Sequence, residues 1–349
     1  MVINDLEFYC VCVPRIDRHD PLRTVLLRLV TNRGIEGWAE AALGWRPGEC
    51  SQRRAALLPC LQGRNPFDVE DLLTLDVLRP AGLRALVEMA CWDIIGRSLR
   101  QPLHNLFGGR YRKQIPVAVR LPQGSPQHVA EVAHALEEQG FYVQMITSCG
   151  RLEDDVRTFE AVRASISQRT ELRFDGCCQY EAETARDLCA AMEYHCPAFL
   201  LDPLRLHDFH AQAMLARQTN VPLASWRSIA SAADVLRAVR CGAAQYVIVD
   251  MCSVGGIAAA RRCAAVAAAG GVRALLGGPP SLGVATAAML QLAAAEPALD
   301  GCSECAYHQL KDHLLSEGID ISDGMMSVPD GHGIGVDVDR AKLDRYQMV

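Results

Sequence analysis

From residue 115 onward, successive short apolar runs end in residues whose types can do chemistry. In order they deliver Thr147 and Cys149, Asp175 with Cys177, Asp202, Trp226 and Arg227, Asp250 with Cys252, Gly277-Gly278 and Glu304. Four carboxylates at such ends suit general acid–base work or the holding of a cation, and Arg227 adds a charge that is fixed at any workable pH. Each has a plainer reading. Asp175 and Asp250 could cap the helices that follow them, and Asp202, just before Pro203, could be a turn residue. Cys177 and Cys252 lack a neighbouring His to activate them and read as packing thiols.

The elements that must position these residues change character along the chain. "TVLLRLVTNRGIEGWAEAAL" reads as two strands joined at Asn32, Arg33 and Gly34. "ALVEMACWDIIGRSLRQPLHNLFGG" reads as a helix closing at Gly96, then a short helix stopped by Gly108-Gly109. Beyond Gly109 the candidate strands are "IPVAVRL", "YVQMIT", "ELRFDG", "AFLLDP", "VPLASW", "YVIVDM", "VRALLG" and a weaker one near "LDGCSEC", with helical stretches between most of them. Eight such units predict a parallel barrel, whose working residues project from the C-terminal strand ends. The turn-rich tail "DGMMSVPDGHGIGVDVDRAKLDRY" is expected to leave the barrel and pack on the first domain. The expected division is 1–112 as an α+β capping domain completed by 320–349, and 113–319 as the barrel.

With 349 residues, half of them apolar, the chain exceeds a single ordinary core. A formal net charge of −6 without a Lys/Arg block argues against nucleic acid or an anionic membrane as partner. The N-terminus acquires charge too soon for a signal peptide, and no apolar run is long enough to span a bilayer, so a cytoplasmic protein is expected. Fifteen cysteines spread along the chain read as reduced packing residues, because neither the Cys302/Cys305 pair nor the Cys10/Cys12 pair has a matching zinc-ligand partner.

Four segments, "TNRGIEGWAEA", "ACWDIIGRSLRQPLHNLFGG", "VDMCSVGGIAAARRCAAVAAAGG" and "VPDGHGIGVDVD", resemble the enolase superfamily in its mandelate racemase and muconate lactonizing enzyme branch. The resemblance extends over essentially the whole chain. It implies a modified (β/α)7β TIM-like barrel under an α+β capping domain. It also implies Mg²⁺ held by three carboxylates at the ends of the third to fifth barrel strands, and proton abstraction α to a substrate carboxylate. Dimers or octamers are common in the family, so a homo-oligomer is expected.

The family pattern carries over only in part. Asp175 matches the first metal ligand, Asp202 stands where the second, normally Glu, is expected, and Arg227 occupies the third. The second-strand lysine motif is here Met145-Ile146-Thr147. Asp250 matches the Asp of the racemase dyad, the seventh strand supplies no His, and Glu304 matches an acid that some members carry. A divalent ion about 4 Å from a guanidinium would be repelled by roughly 8 kcal/mol at an effective dielectric of about 20, while two facing carboxylates repel by about 4 kcal/mol. Arg227 is therefore expected to bridge Asp175 and Asp202 in place of a metal.

Three readings of function follow. The first is a metal-independent isomerase or lyase acting on a small carboxylate, with Asp250, Glu304 and Arg227 in catalysis and Thr147, Arg120, Arg205 and Trp226 against the ligand. The second is a non-catalytic family member. The third is a conventional Mg²⁺-dependent racemase, dehydratase or cycloisomerase with displaced ligands. The capping loops "PRIDRHD" and "LGWRPGE" carry Arg15, Arg18, His19 and Arg46, which could meet an anionic ligand or be solvated loop charges.

Overall fold

The computed structural model describes residues 1–16, 20–205, 208–299, 301 and 303–348. Arg18 and His19 lie outside them, as does Cys302. Three antiparallel strands come first: β1 (Ile3–Val13), β2 (Leu22–Thr31) and β3 (Glu36–Ala41). The β2–β3 turn falls at Asn32, Arg33 and Gly34, where Gly34 takes φ +74, a left-handed conformation that glycine adopts without a Cβ clash. The helices Pro47–Leu61 and Ala81–Leu99 complete this layer.

The long helix does not close at Gly96. It continues to Leu99 and ends on Arg100 in the left-handed region. Gly96 is needed for approach rather than termination: a Cβ there would stand 2.5 Å from Gly333 Cα, so the missing side chain lets the C-terminal loop lie against the helix. Packing offsets the roughly 1 kcal/mol that an interior helical glycine costs.

Eight parallel strands form the barrel: β4 (Gln114–Arg120), β5 (Val143–Thr147), β6 (Glu171–Asp175), β7 (Leu200–Leu201), β8 (Leu223–Ser225), β9 (Tyr246–Val249), β10 (Arg273–Leu276) and β11 (Ser303–Glu304). Each of β4 to β9 pairs with the next. A bridge from Ala274 to Leu299 and the pairing of β11 with β4 close the ring. The architecture is a modified TIM-like barrel with a capping layer, and Met145, Phe199, Leu201, Ala224, Ile248 and Leu275 fill its interior. Strands β7 and β8 are shorter than the apolar runs that announce them. Beyond Leu201 the chain turns at Asp202, whose φ is +41, and Pro203 has no N–H for a ladder.

The C-terminal tail packs in two places. The strand Met325–Ser327 pairs antiparallel with the start of β4, and Gln347 bridges Val11 in the first sheet. Between them Asp93, fully buried, accepts from the backbone N–H groups of Trp38 and Ile334 and is paired with Arg97. One carboxylate thus joins the three-stranded sheet, the long helix and the tail. No helix among the described residues is long and apolar enough to cross a membrane.

Candidate functional site

The strand ends bring most of the expected residues to one mouth. Asp175, the last residue of β6, is fully buried. Its Oδ1 accepts from Arg227 Nη1 at 2.8 Å, and its Oδ2 accepts from Arg227 Nη2 and Arg120 Nη1, both at 2.8 Å. The pairing with Arg227 is bidentate, the strongest form of this contact. Arg227 Nη1 also reaches Asp202 Oδ2 at 3.1 Å. Asp202 is held from behind by the backbone N–H groups of Trp226 and Arg227, at 3.0 and 2.9 Å.

Arg120, at the end of β4, extends the network. It donates to Thr147 Oγ1 at 3.3 Å and to Glu304 Oε2 at 3.0 Å as well as to Asp175. The Trp226 indole lies against both cations, with the guanidinium carbons of Arg227 and Arg120 at 4.4 and 5.7 Å from its ring. This accounts for a bulky aromatic at the strand end: it offers both charges a π face.

The electrostatics divide the acids. Burial pushes the Asp175 carboxyl up, but the Arg227 hydrogen bonds and the charges of Arg120 and Arg227 outweigh it and hold it below the ordinary carboxylate range. Asp202 goes the other way: burial dominates, the Asp175 charge adds to it, and the backbone donors with Arg227 only partly compensate. Burial works against the charge of Arg227, but the hydrogen bonds and charge of Asp175 together with the charge of Asp202 outweigh it and hold the guanidinium protonated more firmly than an ordinary arginine.

Asp250 follows β9 and caps the turn of helix 251–254, accepting from Cys252 N at 2.9 Å and from the Ser253 hydroxyl. The capping reading is what the structure displays, yet the same carboxyl borders a cavity of about 60 Å³ with Glu40, Glu304 and the 277–281 segment. Burial pushes its pKa upward. Gly277 and Gly278 leave room for this lining. A Cβ on Gly277 would stand 2.6 Å from Ile248 Cγ2 and 3.3 Å from Glu304 Cδ, and one on Gly278 would stand 3.0 Å from Asp250 Cγ. Glu304 is buried, and among the described residues its Oε1 has no hydrogen-bond partner.

Several expected residues sit elsewhere or play smaller parts. Arg205 is not brought to the mouth; it is exposed and paired with exposed Glu181. Arg46 is exposed at the start of the helix Pro47–Leu61. Arg15 does reach the site, lining a smaller adjoining cavity with Arg120, Ser281, Glu304 and Gln309. Its Nε is buried and has no partner among the described residues. Cys177 lies 3.7 Å from Arg227 Nη2, but burial raises its thiol to about 11, and Cys252 is raised to about 12. Both are poor nucleophiles there.

The residue that sequence reasoning missed is Glu40 on β3. It is 2 % exposed, accepts from Leu282 N at 2.6 Å and Ala285 N at 3.0 Å, and lines the same cavity. Burial raises it from the ordinary 4.5 to about 7, against the opposing backbone donors. The available signal was an acid inside the apolar stretch "GWAEAAL".

A closed barrel whose C-terminal strand ends carry acids, covered by a separate antiparallel sheet, defines the class as a capped β/α-barrel protein. Residues 127–342 match the family model described as enolase C-terminal domain-like, and residues 17–108 match the N-terminal domain model of mandelate racemase / muconate lactonizing enzyme. The chain belongs to the mandelate racemase and muconate lactonizing enzyme branch of the enolase superfamily. It is 25 % identical over 311 residues to an N-succinyl-L-Arg/Lys racemase of Bacillus cereus, covering 84 % of each chain. It is 27 % identical over 333 residues to muconate cycloisomerase 1 of Rhodococcus opacus, covering 90 % of this chain and 88 % of that one. The crystal structure of the Bacillus cereus racemase shares the fold, with a TM-score of 0.94 at 20 % identity over 100 % of this chain and 99 % of that one.

Proposed function

We propose that the barrel mouth is a metal-independent site for a small carboxylate, with isomerase- or lyase-type proton transfer as its chemistry. The observation that carries this reading is the closure of the Arg227 fork on Asp175 and Asp202. An ion touching those carboxylate oxygens would stand within about 4 Å of the guanidinium and meet roughly 8 kcal/mol of repulsion at an effective dielectric of about 20. The three positions therefore do not fit Mg²⁺ held in the family's manner.

Arg227 and Arg120 offset the charge of Asp175 and Glu304, while burial favours the protonated forms of Asp202 and Asp250. A ligand anion is then drawn to the Arg15 side, where Nε is buried and has no hydrogen-bond partner among the described residues. Glu304 Oε1, buried and unpaired, is the acceptor best placed to take or return a substrate proton, with Asp250 across the cavity as the second acid. Isomerase chemistry is supported by the racemase and cycloisomerase relatives.

The test is proton exchange in D₂O, with chelator present, across a panel of α-hydroxy, α-amino and N-acylamino carboxylates. Exchange that persists in chelator and is lost in Glu304→Gln supports the proposal. Exchange that requires added Mg²⁺ favours the conventional reading, and none across the panel favours a non-catalytic member.

The conventional Mg²⁺-dependent reading draws support from the same relatives and from the adjacency of Asp175 and Asp202 at neighbouring strand ends. It requires Arg227 to swing out of its bidentate pair.

A further inference from the structure

Cys10 on β1 and Cys50 in the first turns of the helix Pro47–Leu61 place their sulfurs 3.1 Å apart, across 40 positions of sequence. Neither is bonded to another cysteine. The contact is shorter than an ordinary non-bonded sulfur pair, so a small shift of either side chain brings the two within bonding distance. We propose that Cys10 and Cys50 form a reversible oxidation site, joined as a disulfide by a peroxide-type oxidant.

The two thiols are unequal in a way that suits such a reaction. Cys10 is 2 % exposed, and its S–H points to the Trp45 carbonyl at 3.8 Å. Burial, then the neighbouring Cys50, raise it to about 12, so it is protonated and sheltered. Cys50 is half-buried and the more exposed of the two. Peroxide therefore meets Cys50 first: the O–O bond breaks, one oxygen adds to Cys50 Sγ as a sulfenic acid, and water leaves. Cys10, held beside that sulfur, then passes its proton to the sulfenic oxygen as its Sγ attacks Cys50 Sγ; the S–O bond breaks and the oxygen leaves as a second water. Two thiols lose two electrons in all, and one peroxide is reduced to two waters.

The bond would act on the segment that leads from the site. Ala41 and Ala42 line the cavity beside Glu40, and Leu43 packs over Gly82 next to Cys252. Trp45 follows, edge-on to Phe8 at 5.2 Å, and the helix begins at Pro47. A link from Cys10 to Cys50 fixes the far end of that segment to β1. It closes a long loop, for which the oxidised protein is expected to unfold roughly 5 °C above the reduced one.

The experiment treats the full chain with stoichiometric hydrogen peroxide, blocks remaining thiols by alkylation and maps peptides without reduction. The expected result is a Cys10–Cys50 cross-linked peptide that disappears on dithiothreitol treatment, with a melting shift that reverses alongside it. Cys50→Ser should fold, melt near the reduced protein and show no oxidant-dependent shift. Both cysteines recovered alkylated, Cys50 recovered as sulfinic acid with Cys10 free, or a shift retained in Cys50→Ser would each overturn the proposal.

Discussion

Arg227 and Asp175 meet through two parallel hydrogen bonds of 2.8 Å, one from each terminal nitrogen of the guanidinium to each carboxylate oxygen. The carboxylate is fully buried and the cation about a quarter exposed, so the pair stands at the floor of an open mouth rather than in a sealed core. Removing one member of such a pair is far more costly than the pair is stabilising, because the partner keeps its burial and loses its compensation.

Arg227→Met is accordingly predicted to destabilise the fold by about 3–5 kcal/mol at neutral pH. Asp175 then faces Arg120 alone, and Asp202 loses its only side-chain cation among the described residues. Urea unfolding checks this. Part of the loss should return on acidification, as the two carboxylates take up protons; a loss below about 1 kcal/mol would show that the pair is dispensable.

The sites also differ in how readily sequence disclosed them. Asp175, Asp202, Asp250 and Arg227 were legible because each closes a distinct apolar run, and barrel geometry sends such residues to one end. The Arg120 bridge from Asp175 to Glu304 was not, since it joins residues 55 and 184 positions away and no local pattern encodes that closure. Arg205 misleads for the opposite reason: it follows a strand end closely but sits beyond the turn at Pro203, where its side chain meets solvent and Glu181. Glu40 was hidden by alternation. A single acid on a strand reads as the solvent face, and its backbone partners lie 242 and 245 positions further on.

Glu40 should leave a signature in the pH dependence of stability. Its folded pKa of about 7 lies above the ordinary 4.5, so the folded state binds the extra proton between those values. Stability from this group is therefore present below about 4.5 and lost as pH rises towards 7. Glu40→Gln should remove a decline of order 3 kcal/mol across that window. Melting temperature against pH for the two proteins checks it; identical slopes would contradict the assignment.

Gly96→Ala tests the docking of the tail on the long helix. Alanine is the better helix former by about 1 kcal/mol, so local propensity alone predicts stabilisation. The new Cβ, 2.5 Å from Gly333 Cα and 2.8 Å from Gln101 O, meets backbone that cannot swing aside. A net loss of roughly 2 kcal/mol is predicted, read by urea unfolding, with faster proteolysis after residue 328. A stabilised variant would show that the tail yields without cost.

Whether Arg227 holds the place of a divalent ion is decided by thermal unfolding of chelator-treated protein against rising Mg²⁺, with Arg227→Glu measured alongside. The natural protein should show no shift and the variant a saturable rise, because a third carboxylate there joins Asp175 and Asp202. Saturable stabilisation of the natural protein by Mg²⁺ would contradict that role.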